Sequence, residues 1–165
     1  MIQLEFLTLA LAAVAAGIYA FVATRALLRP RAPAAGRSTF TFSFQPHSSL
    51  PISWTHRNGQ VQIDAVFVGR RDEVETVFIV EAKHGPKSSL AKHKLAYPVL
   101  AIAPGVSRHL PIVPVYVRVV RLAEDLHFLI AECHMPDPRV GRVALDMVMP
   151  HKVSHRVLPQ LGYVT

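Results

Sequence analysis

A chain of 165 residues with 51% apolar side chains is long enough for one domain with a real core and too apolar for intrinsic disorder. Its 18 Lys and Arg outnumber 11 Asp and Glu, leaving +7 at neutral pH; this favours polyanionic partners, nucleic acid or anionic membrane, over cationic ones. The single Cys133 excludes an intramolecular disulfide framework and suits a reducing, cytoplasmic compartment.

Residues 6–24, FLTLALAAVAAGIYAFVAT, run 19 positions without a charge, enough to span a bilayer. Seven of them are Ala, two Thr and one Gly, so the stretch is much less apolar than a Leu-rich span. Gly17 divides it into an Ala/Leu half that favours helix, Phe6 to Ala16, and an aromatic, β-branched half that favours strand, Ile18 to Ala23. The expectation for residues 1–28 is a helix plus a strand packed on a sheet. The alternative is a membrane anchor, with Arg25, Arg29, Arg31 and Arg37 holding the following domain on the cytoplasmic side. Residues 29–37, RPRAPAAGR, read as a loop. In STFTFSFQ, Phe40, Phe42 and Phe44 alternate with polar residues, as in a half-buried strand.

ISWTHRNGQVQIDAVFVG carries Asn58-Gly59 between two apolar segments, a hairpin signal because both residues tolerate positive φ. In the returning strand Val61, Ile63, Ala65 and Phe67 share one face, and Gln62, Asp64, Val66 and Val68 the other. Both faces are largely apolar, the mark of an interior strand. In the next segment Val77, Ile79, Glu81 and Lys83 share a face. If the chain folds back through RRDEVE with Phe67 opposite Phe78, the same register sets Asp64 opposite Glu81, since each pair of numbers sums to 145. Cβ atoms of opposed residues lie about 4.5–5.5 Å apart. Two carboxylates at that spacing in an apolar sheet call for a cation between them, and their hard oxygens suit Mg²⁺, with Mn²⁺ as a substitute. The plainer alternative makes Asp64 a strand-end residue and Glu81–Lys83 a structural ion pair.

Asp64, a 16-residue interval, then Glu81-Ala82-Lys83 at the end of an apolar strand, with a basic helix after it, resembles the PD-(D/E)XK nuclease superfamily of restriction-endonuclease and Holliday-junction-resolvase type. The resemblance covers about residues 54–120. It implies an α/β, restriction-endonuclease-like core with a central mixed β-sheet flanked by helices, in helix, three strands, helix, strand order. It also implies metal ligation by Asp64, Glu81 and the carbonyl of Ala82, with Lys83 positioning or activating the attacking water. Ile63 stands where the superfamily's name has Pro. A dimer is implied on the same ground, since two DNA strands are to be cut.

HGPKSSLAKHKLAYP follows, with Ser88 or Ser89 as a cap and a helix expected to end near Tyr97, before Pro98. Leu90, Ala91, Leu95 and Tyr97 form its expected inward arc, with Lys94 inside that arc and Lys92 pointing outward. Lys94 is a candidate for a phosphate or water contact at the site, the alternative being a snorkelling side chain. Lys87, Lys92 and Lys94 together form the expected nucleic-acid surface. Residues 112–120, IVPVYVRVV, read as a buried strand and residues 126–133, LHFLIAEC, as another. The tail from residue 134 reads as basic loop surface, with Arg139, Arg142, Lys152 and Arg156 available to phosphates. Cys133-His134 and His151…His155 are spaced too loosely for a zinc motif.

Residues 1–165 thus read as a single domain that hydrolyses phosphodiester bonds, in DNA rather than RNA. The competing reading is a non-catalytic nucleic-acid-binding or assembly module on the same fold, with or without a membrane anchor.

Overall fold

The computed structural model describes residues 39–85, 90–123 and 125–159. The expected N-terminal helix and strand, the loop at 29–37, the Ser88/Ser89 cap and Lys87 lie outside these residues. Among the described residues no helix is long and apolar enough to cross a membrane.

Among the described residues seven strands and one α-helix follow in order: β1 Thr39–Phe44, β2 Trp54–Gln60, β3 Ala65–Arg71, β4 Val74–His84, α1 Lys92–Ile102, β5 Ile112–Leu122, β6 Asp125–His134 and β7 Met149–Leu158. β1 and β2 form an antiparallel ribbon, and β3 to β7 a five-stranded sheet in sequence order. Only β4 and β5 run parallel, because α1 carries the chain back between them; every other neighbouring pair is antiparallel. The α/β class and the central mixed sheet match the sequence reading, as do strands over 112–120 and 126–133. Where flanking helices were expected, α1 is the one α-helix among the described residues.

The alternation in β1 buries Phe44 and half-buries Phe40 and Phe42. Asn58-Gly59 is not a hairpin turn, however. Phe40 pairs with Gly59 and Phe42 with His56, so Thr41 faces two residues, Arg57 and Asn58. This is a β-bulge inside β2, and the positive φ of Asn58, 46°, serves it. Asn58 N–H donates to Thr41 Oγ1 at 2.9 Å and closes the irregularity. Gly59 is required for space: a Cβ there would lie 2.2 Å from His56 Nε2, where the ring packs while stacking on Phe42 at 4.8 Å.

The true tight turn is Asp72-Glu73, with φ of 48° and 63°, between β3 and β4. Two consecutive positive φ values match the right-handed twist of the strands it joins. The register is the one expected: Phe67 faces Phe78, ring centroids 5.1 Å apart, and Ala65 faces Val80. β3 nevertheless lies at the sheet edge, not in its interior. Its apolar residues on both sides reflect pairing on one flank and Phe67 stacking on Phe78, rather than enclosure.

α1 runs through Pro98 to Ile102, five residues past the end expected near Tyr97. The helix buries Leu95, Val99 and Leu100, worth about 2 kcal/mol apiece, against about 3 kcal/mol for an interior proline. Pro98 offers no N–H to the carbonyl of Lys94, but Lys94 is exposed, so water can take that carbonyl. The inward stripe is Lys92, Leu95, Ala96, Val99 and Ala103, spaced for one helix face. It packs over Val77, Ile79, Tyr116, Ala131 and Cys133 to form the core.

The tail is not all loop. β7 pairs with β6 along Leu126↔Leu158 to His134↔Met149 and is exposed at nearly every position. An edge strand with little burial leaves no apolar period, which hid it in the sequence. Arg139 is not open surface either. Only 8% of its side chain is exposed, and it donates to Asp137 Oδ2 at 2.7 Å and to the carbonyls of Ser107 and Leu110 at 2.7 and 3.0 Å.

Candidate functional site

The β3–β4 hairpin and α1 set the site. Val77, Ile79 and Glu81 alternate onto the face that α1 covers, and burial follows the alternation until Lys83 reaches the margin. Glu81 is 2% exposed, one of two buried polar residues among the described residues, the other being Thr76. Lys83, at 36% side-chain exposure, places Nζ 2.5 Å from Glu81 Oε1. Alternation in an extended strand therefore delivers both groups to one face, as the sequence indicates.

Asp64 arrives differently. The β3 ladder ends at Ala65↔Val80, so Asp64 sits one residue before the strand and is not held in the pairing. Its Oδ2 accepts the Ala82 N–H at 2.8 Å, and its Oδ1 accepts Gln62 Nε2 at 3.0 Å. Along β4 the odd-numbered residues direct their backbone to β5, since Val77 N–H donates to Pro111 O and Gly85 N–H to Val119 O. Even-numbered residues direct theirs to β3. Hence the Ala82 carbonyl faces the same flank as the N–H that Asp64 takes, beyond the first residue of β3.

The bond to Glu81 holds the Lys83 ammonium above the ordinary lysine value; burial opposes this, and the charges of Glu81 and Asp64 add to it. Lys83 is thus a cation at neutral pH. Two carboxylates and one ammonium sum to −1, and all the candidate metal donors are oxygens, the kind a Mg²⁺ ion takes from a protein in ones and twos. Asp64, Glu81 and the Ala82 carbonyl fit that donor set. Among the described residues no group of three or more His, Cys, Asp or Glu side chains is gathered for a metal.

The basic candidates part company. Lys92, expected to point outward, is half-buried and donates Nζ to the Asp146 carbonyl at 2.7 Å. Lys94, expected inside the arc, is exposed. The phase differs because α1 begins at Lys92, so Leu90 and Ala91 precede the helix and do not share its inward face. Asp146 also accepts Ser48 N–H at 2.7 Å and Ser48 Oγ–H at 2.6 Å; these bonds hold its carboxyl below the ordinary range and tie the turn before β7 to the loop after β1.

One residue was missed. Arg118, in the middle of IVPVYVRVV, lies in register beside Lys83 on the neighbouring parallel strand. It is half-buried, and its Nε is buried with no hydrogen-bond partner. The signal was a single basic residue in a β-branched run, but its relation to Lys83 exists only once the two strands are paired. An open cleft of about 470 Å³, lined by Phe44, Trp54, His56 and Tyr97 among others, includes none of these site residues.

No curated protein and no solved structure matches the chain. The family model for the domain of unknown function DUF6997 matches residues 1–140, a span that includes Asp64, Glu81, Lys83 and Arg118 and ends before β7. The chain belongs to that family, the domain of unknown function DUF6997.

Proposed function

We propose that this protein is a metal-dependent nuclease that hydrolyses phosphodiester bonds in DNA. The observation that carries the reading is the buried Glu81 carboxylate with the Lys83 ammonium against it at the end of a sheet strand, and the Asp64 carboxylate bonded to the N–H of the intervening Ala82. The order β3, β4, α1, β5, an antiparallel hairpin followed by a helical crossover to a parallel strand, supports a restriction-endonuclease-like core. β2 departs from that core, since it pairs with β1 and not with β3.

Asp64 and Glu81, with the Ala82 carbonyl, would hold Mg²⁺. Bound there, the ion supplies Lewis-acid polarisation of the phosphoryl oxygen and a more acidic water. Asp64 is oriented by the Ala82 N–H, which fixes its carboxylate relative to Glu81. Lys83, being protonated, orients water by donating to it and offsets negative charge developing on the phosphate; it is not a general base. Lys94 is left as an exposed backbone contact on α1.

Branched, linear duplex and single-stranded DNA presented with Mg²⁺ or Mn²⁺ to wild type, Asp64→Asn, Glu81→Gln and Lys83→Met test the reading. Wild type cuts at least one substrate; the carboxylate variants lose cutting, and Lys83→Met keeps metal binding while losing turnover. Ca²⁺ supports binding better than cleavage, because its looser coordination positions water less well. Folded wild type that cuts none of them, or four proteins that cut equally, returns the chain to the non-catalytic binding reading.

A further inference from the structure

Lys83 and Arg118 stand side by side on strands spaced about 4.8 Å apart, facing the same way. Two cations that close repel, and only Lys83 has a carboxylate within ion-pair reach; no ion pair of Arg118 occurs among the described residues. The Arg118 Nε is removed from water without a partner, a condition that costs free energy unless a ligand or water relieves it. Leu129, its neighbour on β6, cannot supply an acceptor from its side chain. Along β4 the Glu81 carboxylate is therefore followed by Lys83, with Arg118 beside Lys83 on β5 and Asp64 on the opposite flank of β4, bonded to the Ala82 N–H.

We propose that Lys83 and Arg118 form a binding site for a phosphate oxyanion, with Arg118 as its anchor. The guanidinium presents a planar fork of donors that matches phosphate oxygens, which an ammonium alone does not. Lys83 shares its charge between Glu81 and the bound oxyanion. The assignment of that oxyanion to a DNA backbone phosphate rests on the nuclease reading; the anion site itself does not.

The test follows the Arg118 Nε–H resonance of ¹⁵N-labelled wild type during titration with inorganic phosphate, and separately with a short DNA duplex in the presence of chelator. The expected result is a saturable shift with both. Duplex affinity of Arg118→Gln, shown to be folded by its amide spectrum, is expected to fall roughly tenfold near 0.1 M salt, with a salt dependence shallower by about one phosphate contact. Arg118→Lys keeps the salt dependence, while its phosphate affinity, followed by the backbone amides of Lys83 and Val119, falls because an ammonium lacks the planar fork of donors. A resonance that moves with phosphate while the duplex affinity of Arg118→Gln is unchanged supports the anion site and overturns its assignment to DNA. An Arg118 Nε–H that moves with neither probe overturns the proposal, even if the protein cleaves DNA. Phosphate and duplex binding through Arg118 without cleavage in Mg²⁺ leaves the site standing and removes the hydrolytic reading.

Discussion

Glu81 would be an expensive residue to bury alone, and Lys83 makes it tolerable. Removing the ammonium by Lys83→Met leaves the carboxylate uncompensated, but the exposed flank of Lys83 screens the pair. The expected loss is about 1 kcal/mol in urea unfolding at neutral pH, recovered in the Glu81→Gln, Lys83→Met double variant. The pH dependence has a definite sign. Because the folded-state value of Lys83 is raised, its contribution is complete below the ordinary lysine pKa and disappears as pH rises through the folded value. The stability gap between wild type and Lys83→Met therefore stays constant through neutral pH and closes in alkali; a gap that persists unchanged as pH rises through the folded lysine value contradicts the assignment.

Arg139 has the opposite sign. Its hydrogen bonds hold the Asp137 carboxyl below the ordinary range, so that contribution is present above the unfolded carboxylate value and is lost as pH falls through the folded one. Arg139→Gln is expected to cost about 3 kcal/mol, since the carbonyls of Ser107 and Leu110 lose their donors as well. Unfolding midpoints across the acid range check both the size and the narrowing gap. At this scale the shared face of Glu81 and Lys83 was legible in the sequence because period-two alternation sets it, whereas Asp64, one residue before β3, is placed by its bond to the Ala82 N–H. Arg118 and Arg139 were not legible, since their roles depend on partners 35 and 32 positions away at Lys83 and Ser107.

The elements show the same division. The β3–β4 register could be read from Phe67 and Phe78, because a short turn between apolar strands leaves few alternatives. Asn58-Gly59 carried a true local signal, positive φ, that a bulge uses as readily as a hairpin. Pro98 carried another, overridden by the burial of α1. The Asp72-Glu73 turn remains locally unfavourable at Glu73, whose longer side chain, unlike that of Asp72, gives no local support to positive φ. Glu73→Gly is thus expected to stabilise the protein by about 1 kcal/mol in urea unfolding. Its exposed contact with Arg70, 3.4 Å, is too screened to offset that gain. Unchanged or lowered stability would mean that the turn is not adopted in solution.

Over the whole molecule, net charge and the sheet act together. A net charge of +7 favours polyanionic partners without giving them a place, whereas Glu81, Lys83 and Arg118 take fixed positions only through the pairing of β4 with β5. Composition disclosed the first, and strand order was needed for the second. On the proposed reading, Asp64 and Glu81 hold a divalent cation. Its most direct test is Mn²⁺ titration of ¹⁵N-labelled protein, watching backbone amides for paramagnetic broadening. Selective early broadening at Asp64, Glu81, Ala82 and Lys83, abolished in Asp64→Asn, is the expected result. Broadening centred elsewhere, or undiminished in Asp64→Asn, contradicts the account.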